Sequence, residues 1–327
     1  GIMPWNFPFW QVFRFAIPAL IAGNTVIIKH ASNVQGASKL LHNIFNSYYK
    51  NIFSSLIISP TLIPDIIKNK SIKAVSFTGS DLAGSKVARC SGQYIKKTVL
   101  ELGGSDPFIV FKDVDIDKCI QDAITSRMIN NGQSCIAAKR FIIHKDIHNE
   151  FISKLKVEVN KLVIGCPQSH KTQIGPLATE NILFDLEKQI KNSKDLGASI
   201  ILGGFRLDRP GYYYSPTIMT NVKSNMPIYH EETFGPLFSI IRSENDSQMI
   251  NIANDSDFGL GSSIWTKDEE KAIAIASKIK SGSVFINGFT RSDPKLPFGG
   301  IKKSGYGKEL SKNGIREFVN SKTIIVY

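Results

Sequence analysis

Cysteine is scarce in this chain of 327 residues. The four present, Cys90, Cys119, Cys135 and Cys166, form no C-x-x-C pair, which excludes a zinc knuckle and a dense disulfide frame and fits a reducing cytoplasm. Long hydrophobic runs are lacking too. The longest uncharged apolar run, Phe15 to Ile28, is interrupted by Pro18, Gly23 and Asn24 and falls short of the ~20 residues a spanning helix needs, so no membrane segment is expected. No basic region leads into an apolar stretch at the start. The chain opens at Gly1 with Trp5 and core-like segments close behind, and reads as part of a longer protein. No block of five or more consecutive basic residues occurs either: the 40 Lys and Arg outnumber the 28 Asp and Glu for a net +12, but they lie scattered among the acids, which argues against a nucleic-acid partner.

A 42% hydrophobic and 21% charged composition allows a sizeable core, one large or two ordinary domains, and excludes global disorder. Short β-branched runs alternate with helical periods, the pattern of a parallel sheet covered by helices. Strands are expected at Thr25–Lys29, Lys73–Phe77, Phe108–Phe111, Arg140–His144, Ser199–Leu202, Leu237–Ile241, Ser262–Thr266 and Gly282–Asn287. Helices are expected over Gln35–Tyr49, over the segment that carries Ile116, Cys119, Ile120, Ala123, Ile124 and Met128 and ends at Gly132, and over Ile147–Val163. No repeat or linker composition appears; the best boundary is Glu101-Leu102-Gly103-Gly104.

Among the cysteines, Cys119 sits on an apolar helix face and reads as core. Cys135 differs, because Asn131-Gly132-Gln133-Ser134 before it form a small polar loop where a thiol is reachable and backbone N–H groups can stabilise a thiolate. Glu101 ends an apolar strand and precedes two glycines, which suits either a general base or a solvated turn residue. Gly79-Ser80-x-x-x-Gly84 between strand and helix suits a phosphate or close strand–helix packing.

Read together, Pro4-Trp5-Asn6-Phe7-Pro8, Phe77-Thr78-Gly79-Ser80, Glu101-Leu102-Gly103-Gly104, Gly132-Gln133-Ser134-Cys135, Glu232-Thr233-Phe234-Gly235-Pro236 and Pro297-Phe298-Gly299-Gly300 through Gly307 resemble the aldehyde dehydrogenase superfamily from Gly1 to Tyr327, without that family's N-terminal third. The resemblance implies an α/β protein with a Rossmann-like cofactor domain (1–102), an α/β catalytic domain (103–303), and a return segment with an oligomerisation strand (304–327). It makes Cys135 the nucleophile, Asn6 an oxyanion donor with the Cys135 N–H, Glu101 the water-activating base and Glu309 a proton-relay carboxylate. Trp5, Lys29, Ser32, Gly79, Ser80, Gly84, Leu102, Glu232 and Phe234 fall at its cofactor positions, and no metal is implied.

Where the family often has Lys-Pro-(Ser/Ala)-Glu, this chain has Lys29-His30-Ala31-Ser32. No carboxylate stands there to repel a 2′-phosphate, so NADP is favoured, with NAD as the alternative. The runs Glu101–Phe111 and Gly132–Arg140 look most like a bacterial branch assigned to succinate semialdehyde. The arginine that pairs the substrate carboxylate in other such enzymes is replaced by Ile129, leaving Arg127 and Arg291 as candidates. The expected partners are a small aldehyde and further copies of the chain, as a dimer or tetramer in which Thr323–Tyr327 pairs with a neighbour. Two alternatives are a non-catalytic remnant acting as a structural protein, and a cysteine hydrolase. The latter needs a histidine base, and none of the six histidines has a companion motif.

Overall fold

The computed structural model describes residues 1–327. The chain divides into two compact units, one of Gly1–Gly103 with Ser292–Tyr327, the other of Gly104–Arg291. The chain re-enters the first unit at Ser292.

The first unit is built on a six-stranded sheet. From one edge it runs Phe53–Ser55, Val26–His30, Ile2–Met3, Ala74–Thr78 and Lys97–Glu101, all parallel, with Gly305–Tyr306 antiparallel at the other edge. Among the parallel strands the order is 3-2-1-4-5 in chain sequence, the Rossmann arrangement. Its direction of growth reverses beside Ile2–Met3, and in such sheets ligands bind beyond the carboxyl ends of the strands at that point. Helices Trp10–Ile21, Gln35–Tyr48, Ile63–Lys68 and Asp81–Gln93 cover the sheet. One core cluster gathers Met3, Val12, Phe15, Ile28, Leu41 and Phe53, and a second gathers Ile63, Ile67, Val75, Phe77, Val87 and Leu100. The terminal residues 321–327 form no strand within the chain, and Ile324, Ile325, Val326 and Tyr327 are exposed.

The second unit has a seven-stranded sheet in the order Phe285–Ile286, Ser263–Trp265, Pro107–Val110, Arg140–His144, Leu237–Ser243, Thr217–Thr220 and Ser199–Leu202. Only the last pair is antiparallel. The two-residue period of a strand divides its side chains cleanly. Ile109, Ile142, Ile241 and Ile264 enter one core, under helices Glu180–Asp195, Asp246–Asn254 and Glu269–Ala276. Phe108, Phe141, Phe238 and Trp265 enter the other, under helices Ile116–Met128 and His148–Asn160. Burial on both faces is what parallel strands require, and each large apolar side chain so buried contributes roughly 1.5–3 kcal/mol. The helix leading to Cys135 starts where the Asp115 carboxylate accepts the Lys118 N–H at 3.3 Å, and stops at Met128 because Asn130, Asn131 and Gly132 all take left-handed φ. No helix is long and apolar enough to cross a membrane.

Candidate active site

In the first unit the parallel strands deliver most of the expected residues to one edge. Trp5 and Asn6 follow Ile2–Met3, Lys29 and Ser32 lie at the end of Val26–His30, Gly79 and Ser80 follow Ala74–Thr78, and Leu102 follows Lys97–Glu101. The registers Met3 opposite His30, Ile2 opposite Phe77 and Thr78 opposite Glu101 align those ends. Gln11 Nε2 donates to Asn6 Oδ1 at 3.1 Å, which turns the Asn6 amide so that Nδ2 is the group that donates elsewhere. Lys29 is buried and its pKa is lowered by desolvation. Ser80 caps the next helix, its hydroxyl accepting from the Ala83 N–H at 3.4 Å. Gly84 is buried, and a Cβ there would strike the Leu102 side chain, so glycine at this place permits close strand–helix packing.

Two carboxylates meet in this unit. Glu101 is 2% exposed, which decides against a solvated turn, and its oxygens have no hydrogen-bond partner. A Cβ on Gly299, whose φ is +150°, would lie 2.7 Å from Glu101 Oε1, so glycine is what lets the backbone approach the carboxylate. Glu309 is fully buried, 2.8 Å from Arg14 Nε, and accepts from Ser76 Oγ at 3.2 Å. Burial first, and the neighbouring Glu309 second, push Glu101 up to about 8, with Arg14 and Lys308 opposing. Glu309 is also raised by burial, against the pull of Arg14. Such a pair stores one proton readily and can exchange it near neutral pH.

In the second unit Cys135 is half-buried on a loop held from below by two buried cations. Arg127 donates to the carbonyls of Ala138 at 2.9 Å, Gly132 at 2.5 Å and Thr233 at 3.4 Å. Burial lowers its guanidinium to about 9, so it remains charged at neutrality. Lys139 Nζ donates to Ser134 O at 3.1 Å, Cys135 O at 2.8 Å and Ala137 O at 3.1 Å. Gly132, at φ +77°, could carry no side chain, because a Cβ would strike the Gly235 carbonyl. Asn131 and Gln133 fasten the loop sideways, accepting from the N–H groups of Gly175 and Ala178 at 2.8 Å each. Glu232 accepts from the Gly104 N–H at 3.0 Å and lies 3.6 Å from Lys139 Nζ; burial raises its pKa, with Lys139 opposing. Phe234, half-buried, follows on the same turn.

The aldehyde dehydrogenase family profile matches residues 1–324. The chain belongs to the aldehyde dehydrogenase family. It is 47% identical over 326 residues to succinate-semialdehyde dehydrogenase [NADP(+)] 1 of Mycobacterium tuberculosis, covering 99% of this chain and 71% of that protein. Among solved structures it superposes with succinic semialdehyde dehydrogenase of Streptococcus pyogenes in complex with NADP+ at a TM-score of 0.97 and 37% identity, over 99% of this chain and 72% of the other. Lactaldehyde dehydrogenase of Escherichia coli gives 0.96 and 32%, over 99% and 69%.

Against the aldehyde dehydrogenase pattern, the first unit brings Glu101 and Glu309 together, and the second brings Glu232 to the Cys135 loop. Arg127 is committed to three main-chain carbonyls and cannot receive a substrate carboxylate, while Arg291 is exposed. Sequence reasoning missed Arg14 and Lys139. Their signal was a cation inside or closing an otherwise uncharged stretch, Arg14 within Trp10–Ile28 and Lys139 at the end of Gly132–Lys139.

Proposed function

We propose that this protein oxidises succinate semialdehyde to the dicarboxylate with NADP as hydride acceptor, through a cysteine thiohemiacetal and thioester. In this reading the Cys135 thiolate attacks the aldehyde carbonyl, and the oxyanion is held by the Cys135 N–H and the Asn6 amide nitrogen. When bound, the nicotinamide supplies the acceptor for the hydride that leaves the thiohemiacetal carbon. Glu101 then takes a proton from the water that attacks the thioester, and Cys135 departs as the thiolate. Atoms balance as aldehyde plus water plus oxidised cofactor giving carboxylate, reduced cofactor and two protons. Glu309 exchanges the proton that Glu101 takes up, its own charge tied to Arg14.

The observation that carries the reading is the placement of Glu101: a carboxyl 2% exposed, with no hydrogen-bond partner, at the end of a strand beside the buried Glu309, where burial raises its proton affinity toward the range of a base working near neutrality. The first unit fits a dinucleotide, as cofactor domain to the second unit's catalytic domain. Its strand order reverses beside Ile2–Met3, Lys29 is a desolvated cation that an anionic group would relieve, and Ser32 rather than a carboxylate follows it. Lys29 and Ser32 would hold the adenosine ribose and its 2′-phosphate, Gly79 and Ser80 the pyrophosphate region, and Trp5, Leu102, Glu232 and Phe234 the nicotinamide half. The names of the similar proteins support the substrate and NADP. The chain is expected to work as a homodimer or homotetramer in the cytoplasm. The test is absorbance at the reduced-nicotinamide band with succinate semialdehyde: turnover at least tenfold faster with NADP than with NAD is expected, and no turnover by folded protein with either cofactor refutes the reading.

A further inference from the structure

Lys139 has no part in the chemistry just described, yet it is 1% exposed and lies directly under the nucleophile. An ammonium has three N–H donors, and here they go to the carbonyls of Ser134, Cys135 and Ala137, at 3.1, 2.8 and 3.1 Å. A neutral amine has only two, so the carbonyl set itself selects the charged form, and Glu232 at 3.6 Å supplies the counter-charge. Burial opposes that charge and lowers the Lys139 pKa, as does Arg127, while Asp106 and the Cys135 sulfur favour the charged form along with Glu232. The Ser134 carbonyl is fixed a second time, by the Ala137 N–H at 3.2 Å, which closes a turn around Cys135.

Every peptide in the chain is trans, and in a trans peptide the C=O of one residue and the N–H of the next point in opposite directions. The Ser134 carbonyl points at Lys139, so the Cys135 N–H points to the opposite face of the loop. The same geometry turns the Ile136 and Ala138 N–H groups away from Lys139, and Ala138 N–H is found donating to Ser126 Oγ at 3.3 Å. Without a cation beneath the turn, three converging carbonyl dipoles would repel one another, and only the Ala137 N–H would still hold the Ser134–Cys135 peptide in this orientation.

We infer that Lys139 is a positioning residue for the oxyanion donor: by drawing three loop carbonyls to its ammonium it turns the Cys135 N–H toward the face where the aldehyde oxygen acquires charge. The inference rests on the reading of Cys135 as nucleophile. It assigns to Lys139 a task in the transition state beyond its electrostatic pull on the Cys135 sulfur, since a misdirected N–H weakens oxyanion binding even where the sulfur still reacts.

Two reactions of the same thiol separate these effects. Attack on an aldehyde builds an oxyanion, whereas displacement of iodide from iodoacetamide builds none at a carbonyl. Lys139→Met is therefore expected to slow the pre-steady-state burst of reduced cofactor with succinate semialdehyde and NADP by about 10–100-fold, below the full loss of an oxyanion donor. The aldehyde KM should stay within about threefold of wild type, and the rate of Cys135 carbamidomethylation, followed by peptide mass spectrometry, should fall by less than about a third as many fold as the burst, because the ammonium also acts on the sulfur. Lys139→Gln keeps two of the three donors and should lose less of the burst; it also serves if the Met variant does not fold. An unchanged burst in both variants overturns the inference, as does a fall in alkylation parallel to the fall in burst, which would mean that Lys139 acts on the thiol or on the loop as a whole. A wild-type chain that alkylates at Cys135 but gives no burst refutes the enzymatic reading itself.

Discussion

Replacing Glu101 by glutamine should change the way stability depends on pH. In the native chain burial and Glu309 raise Glu101 from the ordinary 4.5 to about 8. Between those values the folded state holds a proton that the unfolded state has lost, so stability falls as pH rises through that interval. Each unit of difference corresponds to ~1.4 kcal/mol, which makes the cost about 1 kcal/mol at pH 5, about 3 at pH 7 and about 5 at pH 9, where it levels off. Glutamine has nearly the same shape and no charge, and it also relieves Glu309. The variant should therefore exceed wild type by about 1 kcal/mol at pH 5, about 3 at pH 7 and about 5 at pH 9. Urea unfolding of both proteins at the three pH values measures this directly, the difference between them cancelling every titration they share. A difference that is constant across pH, or a wild type that gains on the variant as pH rises, would refute the burial argument and with it the raised carboxyl.

Other consequences follow from packing and assembly. Phe141→Ala opens a hole between Phe108 and Phe238, whose ring centroids lie 5.1 and 5.0 Å away, and should cost ~3–5 kcal/mol by urea denaturation. Gly132→Ala places a methyl group on the Gly235 carbonyl at a left-handed φ and should cost more than ~2 kcal/mol, with loss of the aldehyde burst. Ending the chain at Ser321 removes the exposed Ile324–Tyr327 edge and should lower the oligomeric state seen by light scattering; an unchanged state counts against that segment as an assembly element.

Much of the sheet was legible because its strands carry short apolar runs rich in β-branched residues, in the buried parallel strands and also in the half-buried antiparallel edge strand Ser199–Leu202. Arg140–His144 and Ser199–Leu202 were read at both ends, and Val26–His30 and Ala74–Thr78 with a one-residue offset. Trp10–Ile21 was not read as a helix: it is apolar nearly all round and contains Pro18, so neither a clean 3.6 period nor an unbroken ladder marks it. Thr217–Thr220 was missed because only Ile218 and Met219 of its four buried residues are apolar, whereas Ser199–Leu202 carries three apolar residues in a row. Cys135 and Glu101 were legible for a local reason, since each sits among small residues that let a ligand or backbone come close. Arg14 and Lys139 were not, because what defines them lies elsewhere. Arg14 needs Glu309 from the far end of the chain, and the three carbonyls around Lys139 are main-chain atoms that no side-chain pattern reports.

The most direct test of the account compares Cys135→Ala with Glu101→Gln in rapid mixing with NADP and succinate semialdehyde, reading reduced cofactor by absorbance and acylated protein by intact mass. Cys135→Ala should give neither burst nor adduct while binding NADP as wild type does. Glu101→Gln should give a burst approaching one reduced cofactor per chain and then stall with the succinyl thioester on Cys135. A Glu101→Gln protein that turns over at the wild-type rate, or that binds cofactor yet gives no burst and no adduct, would contradict the assignment of Glu101 as the base that releases the acyl group from Cys135.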